Sequence, residues 1–246
     1  VLKIKSAQGG VLLAQGLLSF FVLLLCQLAL AVQSHLPQGF CSQQIDHTYY
    51  SLCYEPEHRQ ASWVKYKLNE DFIRGPQRRT NDFRFDPHVS EDPVTKTDYK
   101  GSGYDRGHLL PAGDMRLNRR SMSETFYMTN ISPQMSKFNR YAWLRIEYEV
   151  RKLVLDYGEA HVVTGGILEA GLPRIHSGVS VPDWYFKVLY FPEKQMMRAF
   201  LITHQDHQAT VADDFRVTVD EVEGRTGFDF FAELPDSIEA HLESEL

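Results

Sequence analysis

Two short extended stretches followed by a helix lie near the middle of this chain, and they narrow its possible folds sharply. Residues around 105–110 and 126–131 read as strands, and residues 139–157 read as a helix. Within that helix Trp143, Ile146, Val150 and Leu153 recur at steps of three, four and three, which is one helical face. Gly158 is placed to stop it. Further strands are expected at 62–68, 161–167, 184–191 and 198–203, bounded by turn residues or polar loops. A last helix is expected to open at Thr218, with Glu221 three residues on as in a capping box. Residues 32–53 read as a lead-in segment. Residues 73–103, with scattered Pro, Gly, Asp and Arg, read as a long irregular surface stretch. Such stretches often carry function when a rigid scaffold holds them. The expectation is one α+β domain.

The N-terminus has the order of a secretory signal: Lys3 and Lys5, an apolar run over 17–25, then the small residues Ala29 and Ala31. An uncleaved membrane anchor is the rival reading, but the run is short for a full span. The expectation is therefore a signal peptide over 1–31, a domain over 32–246, and a secreted or periplasmic protein without stable membrane association after cleavage. Cys26 would leave with the signal. Cys41 and Cys53 then remain, an even number in an exported chain, and a disulfide between them is expected.

The formal net charge is −6, which argues against a generally basic surface of the kind that binds nucleic acid. The charge is unevenly spread. Residues 211–246 carry eleven Asp/Glu and two Arg, so the first 210 residues stand at +3. Residues 101–152 hold nine Lys/Arg against five Asp/Glu. A basic middle and an acidic tail fit a local polyanion site, although an ordinary solvated surface accounts for most of these charges as well.

Within the basic middle stands Tyr104-Asp105-Arg106-Gly107-His108. Shortly after it comes Thr129-Asn130-Ile131-Ser132-Pro133-Gln134, then Asn139, Ala142-Trp143 and Glu147. This arrangement resembles the DNA/RNA non-specific endonuclease family, the secreted bacterial nucleases related to mitochondrial endonuclease G. The resemblance runs from Trp63-Val64 to Phe230-Phe231. It implies a ββα-metal (His-Me finger) core within a mainly antiparallel sheet-and-helix domain, and a sugar-non-specific endonuclease that binds DNA and RNA through phosphate contacts. The implied cofactor is Mg²⁺, with Mn²⁺ as the alternative.

The residue types suit that reaction. Phosphodiester hydrolysis needs an activated water, neutralisation of charge in the transition state, and help for the departing 3′ oxygen. A histidine accepts a proton near neutrality, so His108 is the candidate general base. Mg²⁺ keeps most of its waters and takes few protein ligands, so one amide oxygen suffices. The resemblance implies that Asn139 is the sole direct ligand. Glu147 lies about two helical turns on and would accept hydrogen bonds from metal-bound water. Its rival role is an i,i+4 ion pair with Arg151. Arg106 offers a guanidinium fork to phosphate oxygens. Asn130 would orient the site, or serve only as a local cap. By resemblance a further arginine from 78–84 stabilises the transition state; Arg79 is chosen, with Arg78 and Arg84 as neighbours. Two rivals remain: a membrane-tethered nuclease, and a phosphodiesterase of the same fold acting on smaller substrates.

Overall fold

Apolar strands buried on both faces build the centre of the scaffold. The computed structural model describes residues 35–207 and 211–246. Strands β1 (Gln43–Asp46), β2 (Tyr50–Glu55) and β3 (Gln60–Leu68) lead into β4 (Asp105–His108) and β5 (Ile131–Gln134). They are followed by β6 (Ala160–Gly166), β7 (Trp184–Phe191), β8 (Met196–Thr203) and β9 (Arg216–Val217). Seven of them form an antiparallel sheet in the order β1-β2-β3-β6-β7-β8-β9, and β4 and β5 pair separately. The helices are α1 (Glu70–Arg74), α2 (Arg119–Glu124), α3 (Leu144–Tyr157), α4 (Val219–Thr226) and α5 (Asp236–Glu243). Residues Pro37–Leu246 make one compact unit.

Strand β7 carries large buried side chains on both of its faces. Tyr185, Leu189 and Phe191 join Phe138, Trp143, Ile146 and Val150 in the main apolar cluster. On the other face Phe186 meets Phe230 and Tyr190 meets Phe231, with ring centroids 5.7 and 5.3 Å apart. The Thr226–Phe231 run in the resemblance thus helps to cover the back of the sheet. The Cys41–Cys53 disulfide is present and ties the segment before β1 to β2.

Several boundaries differ from expectation. The lead-in over 32–53 contains the β1–β2 hairpin, whose four- and six-residue strands are too short to stand out by alternation. Strand β5 starts where the strand over 126–131 was expected to end. Residues Met128–Asn130 form a 3₁₀ turn instead, because the Asn130 side chain supplies the bonds that a ladder would have made. The helix over 139–157 is two conformations in succession: a π-helical turn over Phe138–Trp143, then α3. Gly158 does end it, at φ 99°. Thr218 caps α4, its Oγ1 accepting from the Glu221 N–H at 3.2 Å. Helices α1, α2 and α5 were not anticipated, since five to eight residues carry too little periodicity. The expected signal peptide over 1–31 lies outside the described residues. Among those described, no helix is long and apolar enough to cross a membrane.

Candidate active site

Strand β4 is the Asp105-Arg106-Gly107-His108 segment itself, paired residue for residue with Gln134, Pro133, Ser132 and Ile131. Gly107 is required there, because a Cβ would run into the side chain of buried Gln134. Beyond the strand, the backbone is pinned at three successive residues by buried side chains. Trp143 Nε1 donates to the His108 carbonyl at 3.3 Å, and Lys187 Nζ donates to the Leu109 carbonyl at 3.2 Å. Asn130 brackets Leu110, accepting from its N–H at 2.8 Å and donating to its carbonyl at 3.0 Å. A third Asn130 bond goes to Thr125 O at 2.8 Å. Asn130 is fully buried, so it acts on the site through the backbone that carries His108.

His108, Arg106, Arg79, Asn139 and Glu147 all line one cleft of about 370 Å³, together with Arg151. Asn130 lies behind it. A larger cavity of about 460 Å³ borders Phe40, Glu55 and Phe228 and holds none of these residues. Chemistry, not size, therefore locates the site.

An aromatic shelf organises its cationic side. Phe83 and Phe126 meet edge to face at 4.9 Å; the Arg106 guanidinium lies 4.3 Å over Phe83 and that of Arg79 lies 4.9 Å over Phe126. The His108 ring is 4.9 Å from Phe126 and 5.5 Å from Phe83. Stacked guanidiniums keep their donor edges free for an anion. Asn81, at φ 55°, steadies Arg79 by accepting from its Nε at 2.8 Å. The neighbouring arginines go elsewhere. Arg84 stacks on Tyr127 and donates to Ser123 O, while Arg78 does not line the cleft.

Burial, reinforced by Arg79 and Arg106, pushes the His108 pKa down to about 3. The imidazole is therefore neutral at physiological pH, and its buried Nε2 has no hydrogen-bond partner. A neutral ring held beside two guanidiniums can accept a proton once an anion balances them.

Across the cleft, Asn139 sits on the π-turn, where its Nδ2 donates to Asp105 Oδ2 at 3.2 Å. That bond commits the nitrogen side of the amide and leaves Oδ1 as the available donor atom for a cation. Asp105 also accepts a two-pronged contact from Arg140, at 2.9 and 3.0 Å, and a bond from Ser136. Burial works against its charge, but the bonds from Arg140, Asn139 and Ser136 hold Asp105 below the usual carboxylate range.

Glu147 is 12% exposed, and its contact with Arg151 is a loose 3.9 Å. Arg151 instead holds buried Asp114 at 2.6 Å, and Tyr66 donates to the same carboxylate at 2.9 Å. The rival ion pair is thus secondary. Burial lifts Glu147 above the carboxylate range, opposed first by Lys187 and then by Arg151. Burial in turn lowers Lys187, opposed by Glu147 and Asp114. Lys187 is wholly buried, bonded to Leu109 O and Thr164 Oγ1, with its ammonium 4.5 Å over the Trp143 ring.

Sequence gives no role to Asp105, Asp114 or Lys187, and gives Arg151 only that of rival partner to Glu147. For Lys187 the signal was available: one charge in Trp-Tyr-Phe-Lys-Val-Leu-Tyr-Phe falls, by alternation, on the face of Tyr185 and Leu189. The donor set around Asn139 and Glu147 is all oxygen, which suits a hard divalent cation. The described residues that cluster as His, Cys, Asp or Glu triples lie away from this cleft.

The model of the DNA/RNA non-specific endonuclease family matches residues 29–237. Human mitochondrial endonuclease G is 38% identical over 156 residues, which are 57% of this chain and 52% of that protein. The chain thus spans about half the length of that relative. The nuclease of Serratia marcescens is 32% identical over 198 residues, covering 75% of this chain and 73% of that one. Among solved structures, an EndoG/EndoGI complex has a chain that superposes with a TM-score of 0.71 at 29% identity, covering 80% of this chain and 89% of its own.

Proposed function

This chain belongs to the DNA/RNA non-specific endonuclease family, and from that premise we propose that it hydrolyses internal phosphodiester bonds of DNA and RNA with Mg²⁺ as cofactor. The observation that carries the proposal is the convergence of His108, Arg106, Arg79, Asn139 and Glu147 on one cleft.

Asn139 Oδ1 would hold the metal and Glu147 would accept hydrogen bonds from its water shell. The oxygen-only donor set fits Mg²⁺, or Mn²⁺ in its place. When bound, the cation supplies positive charge at the scissile phosphate and at the departing 3′ oxygen. Arg106 and Arg79 bind the non-bridging phosphate oxygens and meet the charge that grows on them in the transition state. Bound phosphate offsets the field of these two arginines, so the His108 imidazole gains basicity when substrate is present. Its ring then takes a proton from the attacking water. Asn130, Trp143 and Lys187 hold the backbone at and just after His108, so that the ring meets the phosphate without reorganising. Contacts to phosphate alone carry no sequence information, which suits a cutter indifferent to base and sugar.

Export is proposed on the Lys3/Lys5, apolar, Ala29-x-Ala31 order and supported by the Cys41–Cys53 disulfide. Mass spectrometry of the exported protein is expected to find a chain beginning near Val32; an intact N-terminus in a membrane fraction would overturn it.

The decisive test of activity is plasmid nicking with Mg²⁺ and with EDTA, followed by single-turnover cleavage by folded His108→Ala. Loss of one general base typically costs about 10²–10⁴-fold. A mutant rate within a few-fold of wild type would remove His108 from the chemistry, and absence of plasmid nicking with cleavage of small diesters would favour the phosphodiesterase reading.

A further inference from the structure

Strand β8 ends at Thr203, and the next residue reaches across to the one just beyond β5. His204 is half-buried, and both nitrogens of its ring are committed. Nδ1 lies 2.9 Å from the Pro182 carbonyl, which can only accept, so Nδ1 carries the proton. Nε2 then has a free lone pair, and it accepts the Met135 N–H at 2.7 Å. The backbone beneath the ring is fixed too, the His204 N–H donating to Asp183 O at 2.7 Å. The ring stands edge to face with Phe138 and Tyr185, at 4.9 and 5.2 Å. Burial lowers the His204 pKa to about 4, opposed by the bond to Pro182, so the ring is neutral, as an acceptor must be.

Met135 matters because of where it lies. The β4–β5 ladder ends at the Asp105–Gln134 pair, so the Met135 N–H has no strand partner and needs one from elsewhere. Its carbonyl accepts the Asn139 N–H at 2.9 Å, in the first turn of the helix that carries Asn139. Asn139 is therefore gripped twice, at its side chain by Asp105 and at its backbone through Met135. Tyr185 anchors β5 itself, donating to Pro133 O at 2.9 Å and meeting Ser132 Oγ at 2.7 Å. His204 extends that anchoring past the end of the strand. A second link joins the same two segments, Lys137 Nζ donating to Asp206 Oδ2 at 2.7 Å. The Lys137 side chain is 63% exposed, and such pairs contribute little.

We propose that His204 is a positioning residue for Asn139, acting through the Met135 backbone that its Nε2 holds. The proposal rests on the reading that Asn139 Oδ1 holds the cation. Groups that orient a metal ligand from outside set how well it binds. Without an acceptor at position 204, the Met135 N–H turns to water and the start of the helix loses its anchor. Asn139 then spends less of its time aimed into the cleft.

The test titrates the whole purified protein, stripped of metal, with Mn²⁺ alone and reads binding directly by the paramagnetic signal of the ion. His204→Phe keeps the ring contacts but offers no acceptor, and is expected to weaken binding about tenfold, the lower end for loss of an outer support. His204→Gln, whose amide oxygen can accept the Met135 N–H, is expected to restore it to near wild type. Asp206→Asn is expected to leave it unchanged. In metal-free protein, amide exchange at Met135 and Asn139 is expected to quicken in His204→Phe and not in His204→Gln. Should His204→Phe fail to fold, Met135→Pro removes the donor instead, at a helix start where proline is tolerated, and is expected to weaken binding similarly. The positioning role alone is overturned if Asn139→Ala loses Mn²⁺ but His204→Phe binds it like wild type, or if His204→Gln is as weak as His204→Phe. Binding by Asn139→Ala equal to wild type, or none by wild type, would remove the metal reading and the proposal with it.

Discussion

Asp105 accepts the side-chain amide of Asn139 at 3.2 Å, across the junction between β4 and the π-turn. The first residue of the Asp-Arg-Gly-His segment therefore orients the proposed metal ligand, while the last supplies the proposed base. One four-residue strand serves both sides of the cleft, and its antiparallel pairing with β5 keeps the two in register.

This relationship makes Asp105 testable as a positioning residue. Asp105→Ala frees the Asn139 amide to turn and leaves Arg140 without its partner. Loss of such an outer support typically costs about 10–100-fold in metal affinity or activity. Apparent Mg²⁺ affinity, read from the metal dependence of plasmid nicking, is expected to fall within that range, and Asn139→Ala to fall further. Unchanged metal dependence in Asp105→Ala would show that the bond has no such role.

Arg79 and Arg78 are adjacent, but only Arg79 lies over Phe126 and lines the cleft. Arg79→Ala is expected to lower the single-turnover rate about 10²-fold, as for loss of one preorganised transition-state donor. Arg78→Ala is expected to stay within a few-fold of wild type. Equal losses from both would mean that only general positive charge matters there.

His108 also predicts an acid-sensitive fold. Its pKa is depressed by burial to about 3, against about 6.5 in the unfolded chain. The stability it contributes is fully present above about 6.5 and is lost as pH falls through the folded value, because the unfolded chain takes up the proton first. Urea midpoints measured from pH 7 to pH 4 are expected to fall less steeply in His108→Asn than in wild type. Parallel slopes would refute the burial of a neutral ring.

Lys187 joins the buried charges to the backbone of the site. Lys187→Met keeps the length of the side chain but leaves the Leu109 carbonyl without its donor, a loss of roughly 1–3 kcal/mol for one buried unsatisfied group. It also removes the first of the charges that hold Glu147 down against burial, so Glu147 should protonate at higher pH. The acid limb of the nicking rate is expected to move to higher pH in Lys187→Met and to stay in place in Lys187→Arg. A stability loss with no movement of the limb would reduce Lys187 to a packing role.

Sequence alone determined the α+β class, the strand–strand–helix order and most of the residues that meet in the cleft. Each of these is written locally: the aromatic-rich apolar run over 184–191, the three-four-three stripe of Trp143, Ile146, Val150 and Leu153, and a compact motif whose members lie within forty-three residues of one another. Tertiary structure alone decided which partner each polar group takes. Arg151 could have paired with Glu147 by helical spacing, yet it takes Asp114, thirty-seven residues away, at the shorter distance. Asn139 was expected on an ordinary α-helical turn, but contacts to Asp105 and the packing of Phe138 and Trp143 accompany a π-turn there. The choice of Arg79 over Arg84 rests on the aromatic shelf, and the depressed pKa of His108 rests on burial that no short window of sequence contains. Hydrophobic periodicity is a property of neighbouring residues, whereas desolvation and hydrogen-bond choice depend on whatever the fold brings alongside from elsewhere in the chain.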